Sequence, residues 1–255
     1  MFQLTPWQRV RRKIVNTIPI GVDALSLEKG ALSITFDDFP RNAWQIGGEI
    51  LDKNGVRGTY YMSGGFCGKS YNGLSYFDAD DLLAINASGH ELGCHTFDHV
   101  SALASNQALI VESIAKNQSF LRRILPNYPM HTFAYPFGNA SLSAKLHLRK
   151  TFRASRGTRP GLNRSRTEFT NLRAFPLEEG QRDSFDLPRA IKAAANAKCW
   201  MIIFTHDVST SPSPCGCKPA DLEWLIRLAK DEGLNIAPVA EVLTAAAALS
   251  KSPAA

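Results

Sequence analysis

The alternation of short apolar runs with longer helical stretches is the feature that most constrains the fold of this chain. Each run is rich in β-branched and aromatic residues and ends in a turn or a polar cluster, as strands do. Strands separated by helices predict a parallel sheet. The predicted strands cover residues 31–36, 58–62, 91–94, 132–135, 152–155, 172–176, 200–205 and 235–238. The predicted helices cover residues 42–53, 78–87, 106–125, 187–197 and 219–232.

The number of these units favours closure of the sheet into a barrel. The chain has 255 residues, of which 44% are hydrophobic, so it can bury a sizeable core. A single α/β barrel commonly takes about 250 residues. We therefore predict an α/β barrel of seven to eight mainly parallel strands over residues 31–243, with an N-terminal extension over 1–30 and a C-terminal tail over 244–255.

The sequence gives no sign of a membrane-spanning helix, because no stretch approaches the roughly 20 continuous apolar residues that such a helix needs. The N-terminal region is basic, but no apolar run of signal-peptide length follows its Arg and Lys residues. We therefore expect a cytoplasmic protein. Two interpretations of the basic stretch 7–18 remain: it rests on the inner face of an anionic membrane, or it is a solvated helix.

The cysteines indicate reduced thiols rather than a disulfide framework. The chain has five of them, an odd number, and it is too long to need cross-links. Cys215 and Cys217 are close enough in sequence to favour zinc, but no second pair stands at the spacing of a zinc finger. We do not predict a structural zinc ion there.

Positive charge is concentrated in one segment of the chain. The formal net charge is +6, and residues 145–173 hold nine Lys or Arg against one acid, Glu168. A local basic field favours an anionic partner, although a solvated basic face explains it equally well. Nucleic acid is not the predicted partner, because the chain has no recognisable nucleic-acid-binding motif and its basic segment is not interleaved with aromatic residues.

Chemically active residue types cluster at the predicted strand ends. Asp37 and Asp38 follow the apolar run 31–36, and His95 and His99 stand four apart after another strand. On a helical turn, positions four apart share a face, so both imidazoles can reach one ion. Two histidines and one aspartate with open positions are typical of a hydrolytic metal site. Alone, the aspartates could cap the next helix and each histidine could be structural, but the combination favours the metal.

Two further strand ends carry candidate residues. The predicted strand 132–135 runs into the turn Tyr135-Pro136-Phe137-Gly138, which either directs a backbone N–H toward a substrate or is a plain turn. A buried strand over 200–205 ends in His206. In a parallel α/β barrel the carboxyl ends of the strands form the catalytic face, so we expect these groups to lie on one rim.

In order and spacing, four motifs resemble those of polysaccharide deacetylases of the NodB-homology type, carbohydrate esterase family 4. They are TFDD at 35–38, HTFDH at 95–99, YPFG at 135–138 and FTH at 204–206. The resemblance extends from about Leu32 to Val242. It implies a distorted (β/α) barrel of about seven strands, which agrees with the strand count above.

The resemblance implies a metal-dependent hydrolase that removes N-acetyl groups from an amino sugar in a polysaccharide, an oligosaccharide or a lipid-linked glycan precursor. Asp38, His95 and His99 would hold a divalent metal, with zinc as the first choice and cobalt, nickel or manganese as alternatives. Asp37 would be the general base that takes a proton from the attacking water. His206 would donate a proton to the departing amine, because an amide nitrogen leaves poorly unless it is protonated.

The resemblance also implies which residues stabilise the oxyanion and which orient the metal ligands. The backbone N–H of Phe137 would hold the oxyanion together with the metal. Tyr135 and Pro136 belong to the same turn, which would contact the oxyanion and the substrate. Thr96 would orient the histidines that bind the metal.

The chain departs from the family pattern at two places. Family members commonly have an Arg in the third motif that pairs with the catalytic Asp, but Ala134 stands at that position here. Arg156, at the end of the fifth predicted strand, is our candidate cation for Asp37. The Asp-Trp motif that tunes the last histidine is not recognisable, and Asp183 or Asp207 are its candidate substitutes.

The basic segment bears on the substrate. Arg153, Arg156 and Arg159 are predicted to flank the rim, and arginine binds phosphate and carboxylate strongly. The substrate is therefore expected to be anionic: a lipid-pyrophosphate-linked saccharide, a nucleotide sugar or an acidic polysaccharide.

Other functions remain open at this point. The same barrel serves hydrolases of non-sugar amides or cyclic imides, and the same chemistry serves an O-acetyl esterase. A non-enzymatic glycan binder is the alternative from another class. The complete set of three metal ligands and a base favours N-deacetylation over the non-sugar amide hydrolase and over the glycan binder, and the O-acetyl esterase stays open.

Overall fold

A curled parallel sheet surrounded by helices forms the centre of the protein in a computed structural model that describes residues 5–181 and 183–251. The strands are β1 Val22–Ala24, β2 Ala31–Asp37, β3 Thr59–Met62, β4 Ser70–Tyr71, β5 Leu74–Ser75, β6 Glu91–Cys94, β7 Thr132–Ala134, β8 Ala154–Arg156, β9 Arg166–Glu168, β10 Phe175–Pro176, β11 Trp200–Thr205 and β12 Asn235–Ile236. The helices are α1 Pro6–Thr17, α2 Glu49–Lys53, α3 Ala79–Ala87, α4 Gln107–Ile124, α5 Leu142–Thr151, α6 Leu187–Asn196, α7 Pro219–Asp231 and α8 Val239–Lys251.

The central sheet has the strand order β10-β11-β2-β3-β6-β7-β8, and β12 adds a further parallel pairing to β2. All neighbouring strands in this path run parallel. The sheet is curled so strongly that its two edges approach each other. At this point Arg156 of β8 forms a parallel bridge with Leu172, just before β10. The prediction of a distorted barrel of seven to eight mainly parallel strands is confirmed.

The inner strands are buried on both faces, which explains their continuous apolar runs. All seven residues of β2 and all six of β11 are buried. Successive side chains point to opposite faces of the sheet, so Leu32, Ile34 and Phe36 pack in the larger core. Trp200 and Ile202 belong to the smaller core on the other side.

Several local elements differ from the predictions. The predicted helix 42–53 is π-helical over Ala43–Gly48 before it becomes α2. Helix α5 was not predicted, because its apolar residues alternate along 142–148 in a pattern without helical period; the Ser141 side chain, which accepts from the Ala144 N–H, starts the helix. The predicted strand 172–176 is reduced to β10, and the antiparallel pair β1–β9 has no counterpart among the predictions.

The N-terminal segment packs against the barrel through buried polar contacts. The Lys145 ammonium group, fully buried, donates to the Val15 and Ile18 carbonyl oxygens and lies 2.8 Å from the Glu168 carboxylate. Glu168 in turn accepts a hydrogen bond from the Ile20 N–H. A buried Lys–Glu pair is costly to break, so these contacts fix α1 firmly in place. Among the described helices, none combines the length and the apolar character needed to cross a membrane.

Candidate active site

The carboxyl ends of the parallel strands bring the predicted residues to one rim. Asp37 is the last residue of β2, and Asp38 follows it. His95 directly follows β6, and His206 directly follows β11. Arg156 is the last residue of β8. Because parallel strands end at the same edge, residues that are far apart in the sequence meet here.

Asp38, His95 and His99 form a compact group of potential metal ligands. The Asp38 Oδ1 atom lies 3.6 Å from His95 Nε2 and 3.4 Å from His99 Nε2. A tetrahedral ion with bonds of about 2.1 Å holds its ligand atoms about 3.4 Å apart. Asp38 Oδ1 is buried and has no hydrogen-bond partner among the described residues. The group therefore fits a divalent cation, which would satisfy this oxygen.

The protonation states of the two histidines suit metal binding. The His95 Nδ1 atom lies 2.8 Å from the Ala134 carbonyl oxygen, which can only accept, so Nδ1 carries the proton and Nε2 keeps its lone pair. Burial lowers the pKa of His95 and of His99 to about 4. Burial also raises the pKa of Asp38. A cation at this position would offset the cost of burying that carboxylate.

The loop that carries the histidines is not the helical turn that the spacing predicts. The chain between β6 and α4 is irregular, and Thr96 and His99 adopt positive φ angles of 59° and 52°. The Thr96 hydroxyl accepts a hydrogen bond from the Val100 N–H at 2.9 Å. Thr96 thus holds the loop that presents both imidazoles, and the expectation of a helix is wrong.

Asp37 is paired with Arg156, the cation that the sequence offers in place of the usual third-motif arginine. The Arg156 Nη2 atom donates to Asp37 Oδ1, and the guanidinium is fully buried. It packs over the rings of Tyr61 and Phe204 at 5.3 and 5.2 Å. Burial alone raises the pKa of Asp37, but Arg156, with His95, lowers it below the usual value. Asp37 therefore stays ionised and able to accept a proton.

His206 has an acidic partner that the sequence did not identify. Its Nδ1 atom lies 3.5 Å from Glu178 Oε1 and 3.2 Å from the Cys215 carbonyl oxygen. Burial lowers the pKa of His206, but the hydrogen bond to Glu178 and the charge of Asp37 raise it to about 9. His206 is therefore protonated at neutral pH and can act as an acid.

Of the two proposed substitutes for the family's Asp, Asp207 has another role. It accepts hydrogen bonds from the Ser213 backbone N–H, at 2.9 Å, and from the Ser213 hydroxyl. Glu178 follows shortly after β10, at the carboxyl end of a parallel strand. Glu178 rather than Asp207 therefore contacts His206, and its place after a parallel strand is one that it shares with other acids.

The YPFG turn lies beside the metal-ligand group. Phe137 adopts a positive φ of 59°, its side chain is partly exposed, and its ring centroid lies 4.4 Å from that of His99. Pro136 is buried, and the Tyr135 hydroxyl donates to the Thr170 carbonyl oxygen. Arg159, predicted to flank the rim, donates through Nη1 to the Asn16 carbonyl oxygen at 2.6 Å.

Comparison with known proteins gives one family and several relatives. The family model for polysaccharide deacetylases matches residues 25–151. A probable peptidoglycan-N-acetylglucosamine deacetylase of Arthroderma benhamiae is 29% identical over 100 residues, which are 39% of this chain and 22% of that protein. A chitin deacetylase of Pestalotiopsis sp. is 25% identical over 117 residues, 46% of this chain and 38% of that protein. The aligned region thus spans well under half the length of either relative.

A solved structure extends the likeness over most of the chain. The family 4 acetyl xylan esterase of Clostridium thermocellum, in complex with a cobalt ion, superposes with a TM-score of 0.57. The match covers 88% of this chain and 93% of that one, with 21% sequence identity. At this identity the likeness concerns the fold, which is the fold of carbohydrate esterase family 4.

Proposed function

The chain belongs to the polysaccharide deacetylase family, and on that premise we propose that it is a metal-dependent hydrolase that removes the acetyl group from an N-acetylated amino sugar of a glycan. The observation that carries the proposal is the convergence, on one rim, of a three-ligand group with an ionised Asp and a protonated His. This set matches what hydrolysis of an amide requires: an electrophile, a base and an acid.

Each residue has a chemical role in this reaction. Asp38, His95 and His99 would hold the divalent cation, which supplies a Lewis acid that polarises a carbonyl group and lowers the pKa of water. Asp37, kept ionised by Arg156, takes a proton from the attacking water. That water adds to the acetamide carbonyl carbon. The products are acetate and a free amino sugar.

The state of His206 favours an amide over an ester as the substrate. An alkoxide leaves from an ester with little help, whereas an amine leaves an amide only when its nitrogen has been protonated. His206, held as a cation beside Glu178, supplies that proton. N-deacetylation therefore uses the whole site, and O-deacetylation would leave its acid without a necessary task.

The first test is acetate release from N-acetylglucosamine oligomers. We expect one new amine for each acetate, loss of activity in a chelator, and recovery on adding back one equivalent of a divalent metal. If metal-loaded protein released nothing from glycans but opened cyclic imides or hydrolysed O-acetyl esters, the alternative hydrolase would replace the deacetylase.

Glu178→Gln is expected to move the alkaline limb of kcat/KM toward lower pH by about one unit or more, because a nearby carboxylate raises the pKa of a cation by that much. His206 must be protonated to act, so activity falls as the pH rises through its pKa, which lies at about 9. Without the Glu178 charge, activity begins to fall at a lower pH. Glu179→Gln is the matched control, because Glu179 pairs with Lys218. The pH profile of this variant should match that of the unmodified protein. If the pH profiles of kcat/KM for the two variants overlapped, Glu178 would not be the group that raises the pKa of His206.

For localisation we propose that the protein attaches to the anionic surface of the cytoplasmic membrane through α1. An apolar stripe runs along this helix and past its end, at positions three or four residues apart, and Trp7 is 69% exposed. The same helix carries four cations and no acid, which suits an anionic bilayer. The stripe consists of Trp7, Val10, Ile14 and Ile18, and the cations are Arg9, Arg11, Arg12 and Lys13.

The position of α1 connects this surface to the substrate. Arg159 holds the Asn16 carbonyl at the C-terminal end of α1, and Arg159 is only three residues beyond Arg156 of the rim. A bilayer that bound α1 would therefore lie close to the candidate active site. We propose a lipid-linked, anionic amino sugar as the substrate on this basis.

Ile14→Glu is expected to lower binding to vesicles that contain phosphatidylglycerol by about tenfold or more, because burial of one Ile side chain contributes about 1.5–3 kcal/mol. Co-sedimentation with phosphatidylglycerol and with phosphatidylcholine vesicles measures this. Leu109→Glu is the matched control, because Leu109 is an equally exposed apolar residue on α4. Equal loss in both variants, or no preference of the unmodified protein for the anionic lipid, would contradict attachment through α1.

A further inference from the structure

A second group of metal-ligating side chains lies beside the first. A carboxylate oxygen of Glu178, a ring nitrogen of His206 and the Sγ atom of Cys215 all lie within 4.8 Å of one another. None of these residues belongs to the group formed by Asp38, His95 and His99. Cys215 is exposed to solvent, so an ion can reach the group from outside.

The backbone holds Cys215 against His206. The His206 N–H donates to the Cys215 carbonyl oxygen at 3.1 Å, and the Cys217 N–H donates to the Asp207 carbonyl at 2.9 Å. Gly216 between the two cysteines leaves no room for a side chain, because a Cβ atom there would lie 2.3 Å from the Asp207 carboxylate. The thiol is therefore held next to the imidazole by a turn with little freedom.

The donor types select a particular class of metal. A thiolate, an imidazole and a carboxylate are the three ligand types that proteins use for zinc. The thiolate favours thiophilic ions such as zinc, cadmium and cobalt over magnesium and manganese. The first group contains oxygen and nitrogen donors alone, so it does not discriminate in this way.

We propose that Glu178, His206 and Cys215 form a second site that binds a thiophilic divalent ion and, when filled, switches the hydrolase off. On binding, the Cys215 S–H bond breaks, its proton goes to solvent, and the sulfur forms a bond to the metal. His206 likewise gives its extra proton to solvent and its nitrogen lone pair to the metal. A metal-bound His206 keeps one ring N–H but is no longer an imidazolium, so it is too weak an acid to protonate a departing amine and turnover falls.

The two parts of the proposal rest on different observations. Binding of the ion rests on the geometry of the second group alone. Inhibition rests in addition on the proposed function, in which His206 is the acid. The experiment therefore measures binding first, without turnover, and measures activity separately.

Cobalt titration followed by absorption tests the binding part. We expect two ions per chain, with the second giving the near-ultraviolet band of a thiolate bound to cobalt. Cys215→Ser should bind one ion without that band, while Cys67→Ser, which removes a partly exposed thiol outside the group, should behave like the unmodified protein. The band should also survive in Asp38→Asn, in which the first group is impaired. A band that persists in Cys215→Ser, or a single ion in the unmodified protein, would overturn the proposal.

The activity arm compares zinc with manganese. Beyond one equivalent, zinc should inhibit the unmodified protein about tenfold or more, since an acid catalyst contributes at least that much, whereas manganese should not inhibit. Cys215→Ser keeps the backbone carbonyl that contacts His206. In excess zinc this variant should retain more than half of the activity that it has with one equivalent of zinc. Equal inhibition of both proteins by zinc would overturn the switch. If no substrate is turned over, the cobalt band still decides whether the site exists.

Discussion

Asp37→Asn is expected to lower acetate release by about 10²–10⁴-fold, the usual contribution of a general base, and to leave the metal content unchanged. Asn has nearly the same shape as Asp but cannot accept a proton from water. Asp37 lies outside the group of potential ligands, so removal of its charge should not release the ion. Elemental analysis and steady-state kinetics on the same preparation measure both quantities.

The two adjacent aspartates are expected to differ because their surroundings differ. Arg156 holds Asp37 in an ion pair that keeps its pKa low, once the opposing effect of burial is overcome. Asp38 is buried with an oxygen that has no hydrogen-bond partner among the described residues, and burial raises its pKa. A pair of carboxylates whose environments push their pKa values apart takes two roles: here, Asp37 as base and Asp38 as ligand.

Asp98→Asn is the matched control for Asp37→Asn. Asp98 belongs to the same HTFDH motif as the histidines, but its side chain is half-exposed and pairs with Lys116 at 3.1 Å. An exposed pair of this kind contributes about 0–1 kcal/mol, so the variant should keep nearly full activity. If Asp37→Asn stayed within a few-fold of the unmodified protein, the base would lie elsewhere; if it lost its metal, Asp37 would be a ligand.

The places of the strands along the chain and of the catalytic-type residues after them could be predicted from the sequence, because each apolar run ends in a turn or a polar cluster. Asp37, His95 and His206 could be placed on one rim by the rule that parallel strands end at the same edge. The rule about strand ends does not by itself explain the pairing of Asp37 with Arg156, which also depends on the curl of the sheet. Strands β2 and β8 are four places apart in the sheet, which in a flat sheet would separate them by about 19 Å. Curling brings the two side chains together across the interior.

Glu178 and the histidine loop lay beyond sequence reasoning for different reasons. Several acids follow β10 and β11, and nothing in their spacing shows which of them turns toward His206. Asp207 is adjacent to that histidine in sequence, but Ser213 holds its carboxylate in a turn. The interval between His95 and His99 is compatible with a helix, yet Thr96 accepts the Val100 N–H and closes an irregular loop instead. Local hydrogen bonds, which the periodicity does not record, decided both cases.

His95→Ala is expected to abolish both metal binding and activity. His95 is 1% exposed, and its Nδ1 contact with the Ala134 carbonyl fixes Nε2 toward Asp38. A ligand that binds the folded state raises its stability, so one equivalent of cobalt should raise the Tm of the unmodified protein and a chelator should lower it again. In His95→Ala the Tm should be the same with cobalt and with chelator.

Loss of a buried imidazole destabilises a fold for reasons unrelated to metal, and His90→Ala separates the two effects. His90 is 3% exposed, accepts the Gly58 N–H at 2.9 Å and contacts Asp52, well outside the ligand group. Both variants should have a lower Tm, because each leaves a cavity and unpaired polar groups. Only His90→Ala should keep the rise in Tm with cobalt and the acetate release. If His95→Ala also kept that rise, the ion would be held by other side chains, and Asp38 Oδ1 would need a different partner.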